Sequence, residues 1–266
     1  MALRLDIGGE VLLIEAAAEV LAAVEQRYGR FAVMRPARMP IEIVVQERPG
    51  GFRPTYERPV DGAPLLLTDD VITFDGPVRG RFEVARRRGY VEDVTGLGPV
   101  DLLVRVALSV CLPQDGALLL HAAVLPRASG EGLALCGASG SGKSTAARFF
   151  GGACDELAVL SPMADGVEIL STPYWQGRPF RARCQEIVCL ERGATPGLRT
   201  PGGAEALRVL MRHVIHHASI EEIERSTLSV AAGICAQVGV TVATCPAGER
   251  FLPFLAAHLE EPAGVR

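Results

Sequence analysis

Apolar positions in the first hundred residues come in short bursts separated by polar or Pro/Gly punctuation, which is the spacing of strands. The bursts are Val11-Leu12-Leu13-Ile14, Ile41-Glu42-Ile43-Val44-Val45, Leu65-Leu66-Leu67, Val71-Ile72-Thr73-Phe74 and Phe82-Glu83-Val84-Ala85. A tight turn is expected at Asp69-Asp70, and the Pro/Gly-rich stretch from Glu47 to Pro54 reads as a loop. One helix interrupts the strands, from Ala16 to Tyr28, with Val20, Leu21 and Val24 on its apolar face and Gly29 as its stop. Residues 1–98 therefore predict an antiparallel, mixed α+β module in which no chemistry is visible.

The pattern then changes. Leu97-Gly98-Pro99-Val100-Asp101 opens a helix whose apolar face is Leu102, Leu103, Val106 and Val110, with Pro99 in the first turn, where proline is tolerated. This helix is expected to join two halves of the chain. Ala117 to Leu125 reads as a buried strand, Arg127 to Glu131 as a turn, and Gly132 to Cys136 as a second strand. A helix from Lys143 to about Phe150 follows, closed by Gly151-Gly152. Strands are expected at 157–160, 167–170, 187–190 and 240–243. Helices are expected from Gly203 to about His217, Ser226 to about Gln237, and about Arg250 to Leu259. Strands alternating with helices make residues 99–266 an α/β domain.

Composition narrows the classes. At 266 residues the chain suits one large domain or two modest ones, and 48% hydrophobic with 22% charged residues is ordinary for a globular protein. The net charge of −4 gives no basic stripe for a nucleic-acid partner, and Arg86-Arg87-Arg88 reads as an exposed strand end. No run is long enough to cross a bilayer and no secretory-type segment opens the chain, so a cytoplasmic protein without a membrane partner is expected. Seven cysteines, an odd number without a CxxC pair, read as buried thiols in a reducing compartment rather than as disulfides or a zinc site.

Lysine and arginine together number 27, yet Lys143 is the only lysine. It lies in Gly137-Ala138-Ser139-Gly140-Ser141-Gly142-Lys143-Ser144, which matches G-x-x-x-x-G-K-[ST] between an expected strand and an expected helix. Glycines let successive backbone N–H groups turn into one anion cavity, and the slender ammonium reaches the outer phosphates where a guanidinium is too wide. Ser144 is expected to ligate Mg²⁺, and Thr145 to support the loop or touch a phosphate. A second metal anchor and a proton acceptor are also needed. The nearest acids, Asp155-Glu156, stand before a strand, whereas a Walker-B carboxylate ends one.

His121, the hairpin, the loop and Asp155-Glu156 together resemble the catalytic core of HPr kinase/phosphorylase and its relatives, including kinase-like proteins associated with ribosomal peptide natural products. The resemblance covers roughly Leu118 to Leu259. It implies the mixed-sheet P-loop fold shared with phosphoenolpyruvate carboxykinase. It further implies Asp155 as the base that accepts the acceptor's proton, Glu156 as a metal ligand, and His121 as an active-site residue. Two departures stand out: Glu156 replaces an aspartate, and Asp155 follows Lys143 by only 12 residues. No match to the later phosphorylase signature is found, which favours plain kinase activity.

Other residues attract attention. His213, His216 and His217, with Glu221-Glu222 close by, have the spacing of metal ligands on one helix face, but they read better as the polar end of an amphipathic helix. Tyr174, Trp175 and Phe180 read as packing, and Arg178, Arg181 and Arg183 are either phosphate contacts or a solvated loop. The leading expectation is an ATP- or GTP-using, Mg²⁺-requiring kinase for a serine on a peptide or small protein. A small-molecule hydroxyl kinase and a nucleotide sensor without turnover stay open. The family's habit of assembling leaves a homo-oligomer open as well.

Overall fold

The computed structural model describes residues 1–37, 39–48, 51–53, 65–68, 70–74, 79–174, 177–246 and 251–260. Asp69 of the expected turn, part of the 47–54 loop, Trp175 and Arg250 lie outside them. Contacts divide the chain into two compact units. One is Met1–Leu119 with Ile215–Leu228, and the other is Leu120–Val214 with the described residues from Ser229 onward.

The first unit is built on β1 (Ala2–Ile7), β2 (Glu10–Glu15), β3 (Ile41–Glu47), β4 (Leu65–Thr68), β5 (Val71–Phe74), β6 (Arg79–Glu83) and β7 (Arg88–Val94). They form one sheet in the order β1-β2-β3-β7-β6-β5-β4. The antiparallel expectation fails at its centre, because β2–β3 and β3–β7 are parallel. A helix, α1 (Ala18–Tyr28), carries the chain between β2 and β3, as a parallel pair requires. β1 and β7 were not evident in the sequence, since charges and a glycine break up their apolar positions. Gly89 is needed in β7: a Cβ there would lie 2.8 Å from Leu103 Cδ1 of α2 (Gly98–Gln114). α2 packs on β3, β6 and β7, and the contact boundary falls after Leu119 rather than before this helix.

Arg87 is not the exposed strand end expected of the arginine run. It sits in the turn before β7 with a φ of 51°, its side chain 12% exposed, and ion pairs at 2.5 Å to both Glu10 and Asp115. Arg86 is exposed and pairs with Glu83.

The second unit carries β8 (Leu118–Pro126), β9 (Gly132–Gly137), β10 (Leu157–Met163), β11 (Gly166–Ser171), β12 (Arg181–Arg192), β13 (Gly197–Arg199) and β14 (Gly239–Cys245). Their order is β11-β10-β8-β9-β12-β14-β13, and β11 pairs with β12 as well. A register shift between Cys184 and Glu186 lets β12 serve both partners: Arg181 to Arg183 pair with β11, and the rest runs parallel to β9 and β14. Two helices, α3 (Lys143–Phe149) and α6 (Phe251–Glu260), join one core with Leu133, Leu135, Val188 and Leu190. Each such fully buried aliphatic side chain stabilises the fold by roughly 1.5–3 kcal/mol.

The expected helix reaching His217 stops early, as α4 (Gly203–Met211). Backbone bonds divert the chain: His121 N–H donates to His213 O and Ile215 N–H to Leu119 O, each at 2.8 Å. The next helix, α5 (Glu221–Gln237), starts ahead of Ser226, with Glu221, Glu222 and Glu224 in its first turn, where the helix dipole favours acids. The described residues thus form an α/β protein with two mixed sheets and six α-helices. None of those helices is long and apolar enough to cross a membrane.

Candidate functional site

The strand–loop–helix context expected of the G-x-x-x-x-G-K-[ST] motif is present: β9 ends at Gly137 and α3 begins at Lys143. Gly140 and Gly142 hold φ values of 73° and 108°, where a side chain is strained. Gly142 is also crowded, since a Cβ would lie 2.6 Å from the Phe251 ring. Ser141 N–H donates to Ala138 O at 3.0 Å, while the N–H groups of Gly140, Gly142, Lys143 and Ser144 have no partner among the described residues. First-turn amides are orphans in any helix. Here they continue into a glycine-rich turn, the backbone arrangement from which anion nests are built.

Lys143 is 5% exposed, and its Nζ donates to Gly137 O at 2.6 Å and Ala138 O at 3.2 Å. Burial lowers its pKa, and the charges of Cys136, Asp155 and Glu156 work against that lowering. The two acids are therefore within electrostatic reach of the ammonium. Both are half-buried and immediately precede β10. A bridge between Cys154 and Val124 of β8 fixes where they stand. Asp155 Oδ1 and Ser141 Oγ are buried atoms with no hydrogen-bond partner among the described residues. Native proteins rarely leave such atoms unmet, so each calls for a ligand, water or ion.

Ser144 is half-buried at the second position of α3, and Thr145 and Ser139 are exposed. His121 is half-buried on β8 and by alternation shares its face with Ala123 and Leu125, which pack with Ala146 and Ala147 of α3. Among the described residues no cluster of three or more His, Cys, Asp or Glu is arranged to hold a metal. An octahedral Mg²⁺ asks for less, commonly one or two carboxylates with substrate phosphates and water.

Several residues at the loop escaped the sequence reading. Leu190 of β12 is in register with Gly137, so the end of β12 arrives beside the loop. There Arg192 donates to Gly140 O, and Glu191 pairs with Arg199 at 3.7 Å and Arg212 at 3.9 Å. The signal was a strand ending in Glu-Arg, and it becomes meaningful only once β12 is known to run parallel to β9, because ligands collect at carboxyl ends of parallel strands.

The three histidines do not share a helix face. His213 acts electrostatically on Cys189, His216 faces Glu224 at 3.6 Å, and His217 Nδ1 lies 3.0 Å from Ser109 Oγ, with burial lowering its pKa to about 4. Tyr174 is fully buried. Arg181 is tied to Glu168 at 2.7 and 2.8 Å at the far end of β12 from the loop, and Arg178 donates to Gly151 O. A cavity of about 920 Å³ also lies at that far end, lined by Arg127, Arg183, Gln185 and Gln237 among others. In the second unit, the buried polar atoms without a partner among the described residues include Ser141 Oγ in the loop and Asp155 Oδ1 before β10.

No family model matches the chain, and comparison with curated proteins finds no match. A solved structure titled "Structure of the Hpr(Ser) kinase/phosphatase from Coxiella burnetii" overlaps 53% of this chain and 92% of that one, at 14% identity and a TM-score of 0.30. A likeness this slight carries no conclusion about function.

Proposed function

We propose that the protein is an ATP-dependent, Mg²⁺-requiring kinase that transfers the γ-phosphoryl group to a hydroxyl, that of a serine on a peptide or small protein. What carries this reading is one juxtaposition: a buried ammonium on the loop carbonyls, with two carboxylates acting on it. A buried lysine without an anion is costly. Triphosphate oxygens would take over from the carbonyls of Gly137 and Ala138, and the loop amides would cradle the remaining charge. Ser144 and Glu156 would hold Mg²⁺ against the phosphates. Asp155, with its unmet Oδ1, would take the acceptor's proton.

The two acids also favour turnover over sensing. Carboxylates beside a polyphosphate repel it unless they hold a metal or move a proton, so a sensor gains little from a second one. The experiment is transfer from labelled ATP to serine-containing peptides, comparing the wild type with Asp155→Asn. Transfer by the wild type, lost in the variant while nucleotide still binds, supports the kinase. Binding without transfer to any acceptor would leave a sensor, and a labelled metabolite without a labelled peptide would move the acceptor to small molecules.

A further inference from the structure

Directly beneath the phosphate loop lie two thiols that the kinase reading does not use. Cys136 of β9 and Cys189 of β12 are partners in the parallel register, so their side chains leave the sheet on the same face. Neighbouring strands are about 4.8 Å apart, inside the Cα separation that a disulfide spans. The two thiols act on each other electrostatically, and the His213 ring acts on Cys189. Both are free, and both are sealed from bulk solvent, at 0% and 1% exposure. Cys136 is bonded to Gly137, whose carbonyl holds the Lys143 ammonium, and Cys189 is three residues from Arg192, which holds Gly140 O.

We propose that Cys136 and Cys189 form an oxidation site, closing to a disulfide that displaces the phosphate loop. Interaction with the Cys136 thiol and with His213 lowers the Cys189 pKa, and the same interaction, together with burial, raises that of Cys136. Cys189 is thus the attacking thiolate and Cys136 the resolving thiol. The oxidant is a small hydroperoxide, because the burial bars bulky reagents. The Cys189 sulfur forms an S–O bond as the O–O bond breaks, the leaving alkoxide or hydroxide takes a proton, and a sulfenic acid remains. The Cys136 sulfur then attacks the Cys189 sulfur. The S–S bond forms, the S–O bond breaks, and hydroxide leaves with the Cys136 proton as water. Two thiols and one hydroperoxide become a disulfide, an alcohol or water, and water. A disulfide favours a Cα separation of about 5.5–6 Å, wider than the ladder spacing, so closing it shifts the two strands, and each strand end holds the loop by a hydrogen bond.

The test treats the whole protein with hydrogen peroxide and maps the products. Trypsin places Cys136 alone in peptide 128–143 and Cys189 with Cys184 in peptide 184–192. The expected product is these two peptides cross-linked, about 2 Da lighter than their sum, reversed by dithiothreitol, retained in Cys184→Ser and absent in Cys189→Ala. Hydrogen exchange over residues 137–144 should rise on oxidation and return on reduction. No cross-link, a cross-link through Cys184 or Cys235 instead, or a cross-link with unchanged loop exchange overturns the proposal. If the variants do not fold, fragmentation of the wild-type cross-linked pair, which places the bond at Cys184 or at Cys189, decides. None of these readouts needs nucleotide. Failure of the reduced protein to bind ATP would sink the kinase reading and leave this site standing.

Discussion

Arg87 in the first unit and Lys143 in the second are both cations held away from water, and their surroundings differ in kind. Arg87 bridges Glu10 and Asp115 at 2.5 Å each, so charge meets charge inside the unit. Lys143 rests on two backbone carbonyls while Asp155 and Glu156 act on it through space, and buried oxygens nearby lack partners. A cation met by carboxylates holds a fold together, even though Arg87 Nε itself lacks a partner among the described residues. One that rests on loop carbonyls beside unmet carboxylate and hydroxyl oxygens is poised for a ligand. The comparison makes opposite forecasts for substitutions at the two places.

The largest expected effect is at Asp155. Asp155→Asn keeps the shape and removes the base, so phosphoryl transfer should fall by about 10²–10⁴-fold while nucleotide affinity stays within about threefold. Transfer within about tenfold of wild type would remove Asp155 from the chemistry. Next is Lys143→Ala, which should weaken triphosphate binding by about 10–100-fold, the worth of charged hydrogen bonds, and leave thermal stability unchanged or raised. Calorimetric titration and a melting curve on the same sample check both halves. Arg87→Ala should do the reverse. Removing Arg87 leaves half-buried Glu10 without its cation, costing about 1–3 kcal/mol of stability by denaturant titration, with no change in nucleotide affinity at temperatures where the variant is folded. If Lys143→Ala melted early and Arg87→Ala did not, the contrast would be inverted.

The sequence exposed one half of this contrast and concealed the other, for a physical reason. Glycines, lysine and serine between a strand and a helix are a local pattern, and the elements flanking the loop lie within one residue of their expected ends. Asp155 and Glu156 could be named from position, but their approach to Lys143 depends on the bridge between Cys154 and Val124, thirty residues apart in sequence. Arg192 and Cys189 were illegible as neighbours of the loop, because apolar alternation identifies a strand and not the strand beside it. The same limit hid the parallel centre of the first sheet. It also hid Arg87, whose partners are 77 and 28 residues away. Long-range pairing turned one arginine of a run that looked solvated into a buried bridge.

The smallest effect, and the one that isolates the first unit, is a pH dependence. Burial raises the Glu10 pKa from 4.5 to about 7; Arg87 pulls it down, while hydrogen bonding and repulsion from Asp115 push it up. Cys111 on α2 faces the same group, and its thiol is itself pushed up to about 12 by burial, so it stays neutral throughout. A carboxyl whose folded pKa exceeds its unfolded value stabilises the fold fully below the unfolded value. That contribution is lost as pH rises through the folded value. Stability from Glu10 should therefore be present at pH 4.5 and gone by about pH 7.5 to 8, a change on the order of 2 kcal/mol. Glu10→Gln fixes the side chain in its neutral form. The difference in unfolding free energy between wild type and variant should then drift toward the variant across that window and level off above it. A difference that stays flat from pH 4.5 to 8 would mean that Arg87 keeps Glu10 ionised throughout, making the cluster two independent ion pairs with no proton shared between the acids.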